Sequence, residues 1–181
     1  MKYICAALSR LFILAGALIA TAVPVYGYEV VSPDGGFSYR LPKGWKLVNA
    51  PGARYKVAVD PHNRAKIVVN TSMALYVVDD YNGRNLLPQT VERFRYETLK
   101  RAAKRDPDCK VIENSKFTTN TNQQGIRTLV RVKRNGVLFH DSLYFFQHYA
   151  KILWIVCSAP GDGSMDGQLE AIVKTFRSHE T

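Results

Sequence analysis

The sequence predicts an α+β protein in which two main helices pack on an antiparallel sheet, and three observations carry that reading. Residues 125–158 spell two alternating strands, a tight turn and a third apolar strand without interruption, which is the pattern of a meander. Apolar residues recur at helical spacing through 87–105 and again at Leu169, Ile172, Val173 and Phe176. The chain is 46% hydrophobic and 22% charged, a balance that sets disordered and fibrous classes aside and suits one domain.

Residues 1–27 read as a cleaved secretory signal peptide, which leaves 28–181 as the domain. Lys2 and Arg10 precede a charge-free run of 13 residues from Leu11 to Val23, and Pro24 ends it. A membrane span needs about 20 apolar residues of helix, so an uncleaved anchor is the poorer fit. Two cleavage sites have the small-x-small form, Ala20-Thr21-Ala22 and Val25-Tyr26-Gly27. The second is favoured because the strand pattern starts at Tyr28. A periplasmic or secreted location follows.

Loss of Lys2 and Arg10 lowers Lys plus Arg from 25 to 23 against 15 Asp plus Glu, a net charge of +8. Such a balance favours anionic partners, either proteins or envelope components, with peripheral membrane association among the options. Export argues against nucleic acid. Cys109 and Cys157 form an even pair in a compartment that permits disulfides, with two buried free thiols as the alternative.

Strands are expected at 28–31 and 37–41 around the turn formers Ser32-Pro33-Asp34-Gly35-Gly36. In Leu41-Pro42-Lys43-Gly44-Trp45, proline ends the ladder, glycine permits a positive φ, and tryptophan closes the end of a core. Strands at 55–59 and 66–78 follow, joined by Asp60-Pro61-His62-Asn63-Arg64. The segment 79–84 reads as a turn that carries a fragment of a calcium loop. A helix over 87–105 has Asn85 as a cap and Pro88 in its first turn. Its stripe is Leu87, Val91, Phe94, Thr98 and Ala102. Its outer face crowds Arg93, Arg95, Lys100, Arg101, Lys104 and Arg105, which the helix dipole favours towards the C terminus. A strand over 110–118 leads to the meander.

An early hairpin, the turn of Leu41, Pro42, Gly44 and Trp45, a helix, a meander and a last helix with Ile172 and Phe176 resemble the PsbP/DcrB-like group of extracytoplasmic proteins. The resemblance implies an α/β/α sandwich around a central antiparallel sheet, and for most bacterial members no known catalytic activity. Photosynthetic members bind a membrane protein complex and are associated with manganese and calcium retention. No matching ligand set stands in this sequence, so that role is not carried over.

Register in the meander follows from Arg134-Asn135-Gly136-Val137, because Asn-Gly suits a two-residue type I′ turn. Arg134 should then face Val137, Val132 face Phe139, and Ile126 face Phe145. One sheet face carries Ile126, Thr128, Val130, Val132, Phe139, Asp141, Leu143 and Phe145 and should be core. Asp141 needs a partner there, with Arg134 as a candidate. The other face mixes Arg127, Leu129, Arg131 and Lys133 with Leu138, His140, Ser142, Tyr144 and Phe146. A helix over it would leave arginine stems along apolar surface; without one it would be an amphipathic binding surface. The apolar run from Ile152 to Val156 marks a central strand.

Catalytic patterns are absent: there is no Gly-x-Ser-x-Gly elbow, phosphate-binding glycine loop or paired-cysteine metal motif. His140, Tyr144 and His148 share a strand face, but positions four apart lie roughly 13 Å from one another. Asp162, Ser164 and Asp166 with Glu170 have partial metal-loop spacing without the closing glutamate, and Ser164 or Asp166 as a helix cap accounts for the same residues. The expectation is an exported non-catalytic binding or accessory domain, acting without cofactor on a protein or envelope component. Its basic, aromatic surface would comprise Arg127, Arg131, Lys133, His140 and Tyr144. The alternative is a small-molecule or calcium-binding module using the 162–170 loop.

Overall fold

The computed structural model describes residues 26–32, 36–49, 55–71, 88–148 and 151–179. Nearly all of the expected signal segment, the 79–84 loop, and Asn85 and Leu87 of the expected helix start lie outside them. Two antiparallel sheets form. The smaller contains β1 (Tyr26–Ser32), β2 (Phe37–Pro42) and β10 (Arg177–Ser178), with β2 in the middle. The larger has the order β3 (Lys46–Val48), β4 (Val57–Val59), β5 (Lys66–Thr71), β9 (Lys151–Pro160), β8 (Val137–His148), β7 (Gln124–Arg134) and β6 (Lys110–Thr118). Helix α1 (Pro88–Arg105) and helix α2 (Asp166–Lys174) complete the described elements.

The central strand is β9, as its two-sided apolar run requires. The hairpin register matches the Asn-Gly reading: Arg134 pairs with Val137, Val132 with Phe139 and Ile126 with Phe145. Asn135 and Gly136 take φ of 51° and 80°, the left-handed backbone that a type I′ turn demands. At the early turn, Gly44 has φ +90°, and the Trp45 amide donates to the Pro42 carbonyl at 3.2 Å. That turn drives the Trp45 indole into the core, where it is 3% exposed. Burial of so large a ring is worth about 3 kcal/mol.

Both faces of the large sheet are covered. Val91, Phe94 and Leu99 of α1 rest on Val130, Leu143, Phe145, Trp154 and Val156. Leu99 joins the expected stripe, and Thr98 and Ala102 are half-buried like it. On the opposite face lies the larger cluster, in which Tyr144, Phe146, Leu153, Ile155 and Cys157 meet Phe37, Tyr39 and Leu41 of β2 and Leu169, Ile172 and Val173 of α2. The second layer is therefore a helix together with a small sheet, instead of a helix alone. Phe176 lies just past α2, its ring 4.5 Å from that of Tyr39 and tilted by 4°.

Several expectations change. Strands β3 and β10 are too short to show alternation and were not foreseen. β1 starts at Tyr26, whose Cα partner is Pro42, two residues ahead of the expected Tyr28. Neither Ser164 nor Asp166 caps α2: Met165 occupies the cap position without a side-chain hydrogen bond, and Asp166 opens the first turn, where a carboxylate favours the helix dipole.

Of the two readings left open for Cys109 and Cys157, a bridge or two free thiols, the structure has the free thiols. Cys157 belongs to the α2-side cluster and Cys109 packs on the α1 side, so the sheet stands between them and their side chains diverge.

Candidate functional site

The α2-facing side of β6, β7 and β8 changes character along its length. At the inner end Phe117, Tyr144 and Phe146 are core, with edge-to-face ring pairs at 4.7 and 5.7 Å. Tyr144 is 0% exposed, and burial pushes its phenol pKa far up. It therefore cannot belong to a docking surface, which corrects its expected role.

In the middle, α2 supplies acids to Arg127 and His140. Arg127 Nη1 lies 3.9 Å from Glu170 Oε2 and 3.8 Å from Glu113 Oε1, and Nη2 donates to Ser142 Oγ at 3.5 Å. His140 Nδ1 sits 3.3 Å from Asp166 Oδ2. Gly163 makes that contact possible, because a Cβ there would stand 2.7 Å from the imidazole and 2.8 Å from the carboxylate. Arg127 and His140 are thus half-buried elements of the seam between α2 and the sheet.

At the outer end α2 no longer covers the sheet. Lys110 pairs in register with Arg131, and Lys133 with Leu138, so alternation puts all four side chains on one face. The three cations are exposed and have no ion pair among the described residues, and Leu138, opposite Lys133, is 40% exposed. Of the expected surface, Arg131 and Lys133 lie in this open region. Lys110 and Leu138 join them through strand pairing, and only the β6 register, unread in the sequence, could have found Lys110.

Other candidates resolve into structural roles. His148 Nδ1 meets Ser178 Oγ at 3.1 Å, so His140, Tyr144 and His148 each turn to separate surroundings. His179 Nε2 lies 2.7 Å from Ser38 Oγ, which donates to Glu29 Oε1 at 3.0 Å. Since the carboxylate can only accept, the serine proton goes to Glu29 and His179 must donate from Nε2. An imidazole in that state is not a base for Ser38, and Ser38 is 0% exposed. In the 162–170 loop, the Ser164 amide donates to Asp162 Oδ1 at 3.1 Å, and Lys174 holds Glu170 at 3.0 Å. Among the described residues no three His, Cys, Asp or Glu side chains gather as a metal site. No described helix is long and apolar enough to cross a membrane.

The arrangement of strands and helices matches the solution structure of cyanobacterial PsbP (CyanoP) from Synechocystis with a TM-score of 0.64 over 91% of this chain and 99% of that one, at 14% identity. This chain has the PsbP fold. LpqN of Mycobacterium tuberculosis, described as involved in cell envelope biogenesis, shares the PsbP-type arrangement at TM-score 0.56 and 18% identity, over 84% of this chain and 90% of that one. A Bacteroides thetaiotaomicron protein matches at TM-score 0.55 and 10% identity, over 86% of this chain and 50% of that one. No protein-family model and no curated protein matches the sequence.

Proposed function

We propose that this PsbP-fold chain is an exported, non-catalytic accessory domain that docks on an anionic component of the cell envelope through Lys110, Arg131 and Lys133. One observation carries the reading: these cations share one sheet face, are exposed, and pair with no described acid. On the same face Arg127 is met by Glu170 and His140 by Asp166, so the outer three cations are left available for an external partner. The signal-type N terminus supports export. Since Tyr26 is part of β1 and its hydroxyl donates to the Ala171 carbonyl at 3.4 Å, processing after Ala22 keeps the strand whole, whereas processing after Gly27 shortens it. The envelope role described for LpqN agrees with this placement.

The test is photo-crosslinking in intact cells, with the reactive residue at Lys133 or at Lys116, an exposed cation towards the other end of β6. Adducts with envelope material from position 133 and few from 116 are expected. Equal yields, or adducts from 116 alone, would overturn the assignment.

A further inference from the structure

We infer that the partner at this end of the sheet is the surface of an anionic phospholipid bilayer; the inference rests on the docking reading above and names its occupant. Four exposed aliphatic side chains accompany the cations: Val111 at 47%, Ile112 at 48%, Val137 at 49% and Leu138 at 40%. By register Leu138 stands on the face of Lys110, Arg131 and Lys133, whereas Val111, opposite Val130, and Val137, opposite Arg134, stand on the α1 face at the same end of the sheet. Val137 and Leu138 open β8 directly after the Asn-Gly turn, and Val111 and Ile112 open β6, with the register irregularity at Ile112. Helix α1 ends nearby, since Lys104 and Arg105 form its last turn and the Cys109 amide donates back to the Asp106 carbonyl just ahead of Lys110. The exposed cations at this end are therefore Lys104, Arg105, Lys110, Arg131 and Lys133. Of the acids at this end, exposed Asp108 and half-buried Asp106 lie between α1 and β6, exposed Asp162 follows Gly161, whose amide donates to the Leu138 carbonyl, Asp141 is buried against Arg134, and Glu113 faces Arg127.

The composition chooses between partners. Protein interfaces concentrate aromatic residues in their cores and are depleted in lysine, whereas the exposed apolar groups here are valine, isoleucine and leucine, beside three lysines and two arginines. A soluble anionic polymer would use the cations and leave the aliphatic groups in water. A bilayer surface uses both, because short aliphatic groups enter the headgroup boundary while lysine and arginine stems lie along it with their charges on phosphate. Each cation near such a surface strengthens binding about five-fold, so five of them supply on the order of a thousand-fold over a neutral membrane.

The probe is the exported chain with sedimented vesicles of phosphatidylglycerol mixed with phosphatidylcholine, against phosphatidylcholine alone. Binding to the first and not the second is expected, with weakening as salt rises. Arg131→Glu with Lys133→Glu should lower partitioning at least about twenty-fold. Val137→Asn with Leu138→Asn should lower it about five-fold or more while keeping the salt dependence. If the first pair melts differently from the wild type, Lys104→Glu with Arg105→Glu on the exposed helix end gives the same reading. Soluble glycerol phosphate should not displace the protein. Equal binding to both vesicles, no binding to either, or displacement by glycerol phosphate would overturn the inference. Adducts at position 133 confined to a protein, with no vesicle binding, overturn the lipid assignment and leave the docking reading standing; no adducts there overturn both.

Discussion

Arg127 and Tyr144 are cross-strand partners in the β7–β8 register, yet the cation reaches towards Glu170 while the phenol hydroxyl has no hydrogen bond of good geometry among the described residues. Tyr144 thus acts through its ring, packed on Phe117. Tyr144→Phe should leave the melting temperature unchanged or raise stability by about 1 kcal/mol, because among the described residues the buried hydroxyl has only the Ser142 side chain beside it, without good geometry, and its removal lifts a desolvation cost. Tyr144→Ala should cost about 4 kcal/mol. Denaturant unfolding of the two variants checks this, and a loss of several kcal/mol from Tyr144→Phe would contradict it.

Asp60 gives the pH dependence a defined direction. It is 2% exposed, and burial alone would raise its carboxyl pKa. The amides of Ala65, Arg64 and His62 and the Arg64 side chain outweigh that, so the pKa is lowered. A carboxylate depressed in the folded state contributes stability that is fully present above its unfolded pKa of about 3.9 and is lost as pH falls through the folded value. Asp60→Asn should flatten the acid limb of a stability-against-pH curve; an unchanged limb would remove Asp60 as its source.

Arg134 and Asp141 pair through two nitrogen-oxygen contacts, and Ser158 Oγ donates to Asp141 Oδ1 at 2.7 Å. Arg134→Ala leaves a carboxylate that is 3% exposed with the hydroxyl alone. A loss of about 2 kcal/mol is expected by thermal unfolding, and Arg134→Ala combined with Asp141→Asn should recover part of it.

Gly125 marks a close approach, for a Cβ there would lie 2.5 Å from Phe146 Cδ1 and 2.6 Å from the Phe145 carbonyl oxygen. Gly125→Ala should cost about 2 kcal/mol through displacement of the β7–β8 ladder. Unfolding midpoints decide it, and a neutral result would mean that the strand moves freely.

Thiol chemistry separates the two cysteines. Burial pushes both thiols above their ordinary pKa, and Cys157 is 0% exposed. A thiol reagent at neutral pH should label Cys109 slowly and Cys157 only after unfolding. A mass two units lower, the sign of a bridge, would contradict their placement on opposite faces.

Legibility in the sequence tracked how local each cause was. The Asn135-Gly136 turn sets its own register, and the Leu41 to Trp45 turn depends on neighbouring residues, so both were readable. β3 and β10 hold three and two residues, too few for a period to show. The alternating face of β7 and β8 was visible, but the division of that face into a buried inner part and an open outer part depends on where α2 ends. The pairs Arg127 with Glu170 and His140 with Asp166 join segments far apart in the chain, which is why five residues that looked like one surface divide into Arg131 and Lys133 outside, Arg127 and His140 at a seam, and Tyr144 in the core.

Docking through the cationic end of the large sheet, as proposed, would hold this protein at the envelope. Fractionation of cells that export the wild-type chain, or a variant with Lys110, Arg131 and Lys133 all changed to glutamate, tests it most directly. Wild type is expected with the envelope membranes and an equally well folded variant in the soluble fraction. A soluble wild type, or a variant that remains with the membranes, would contradict it.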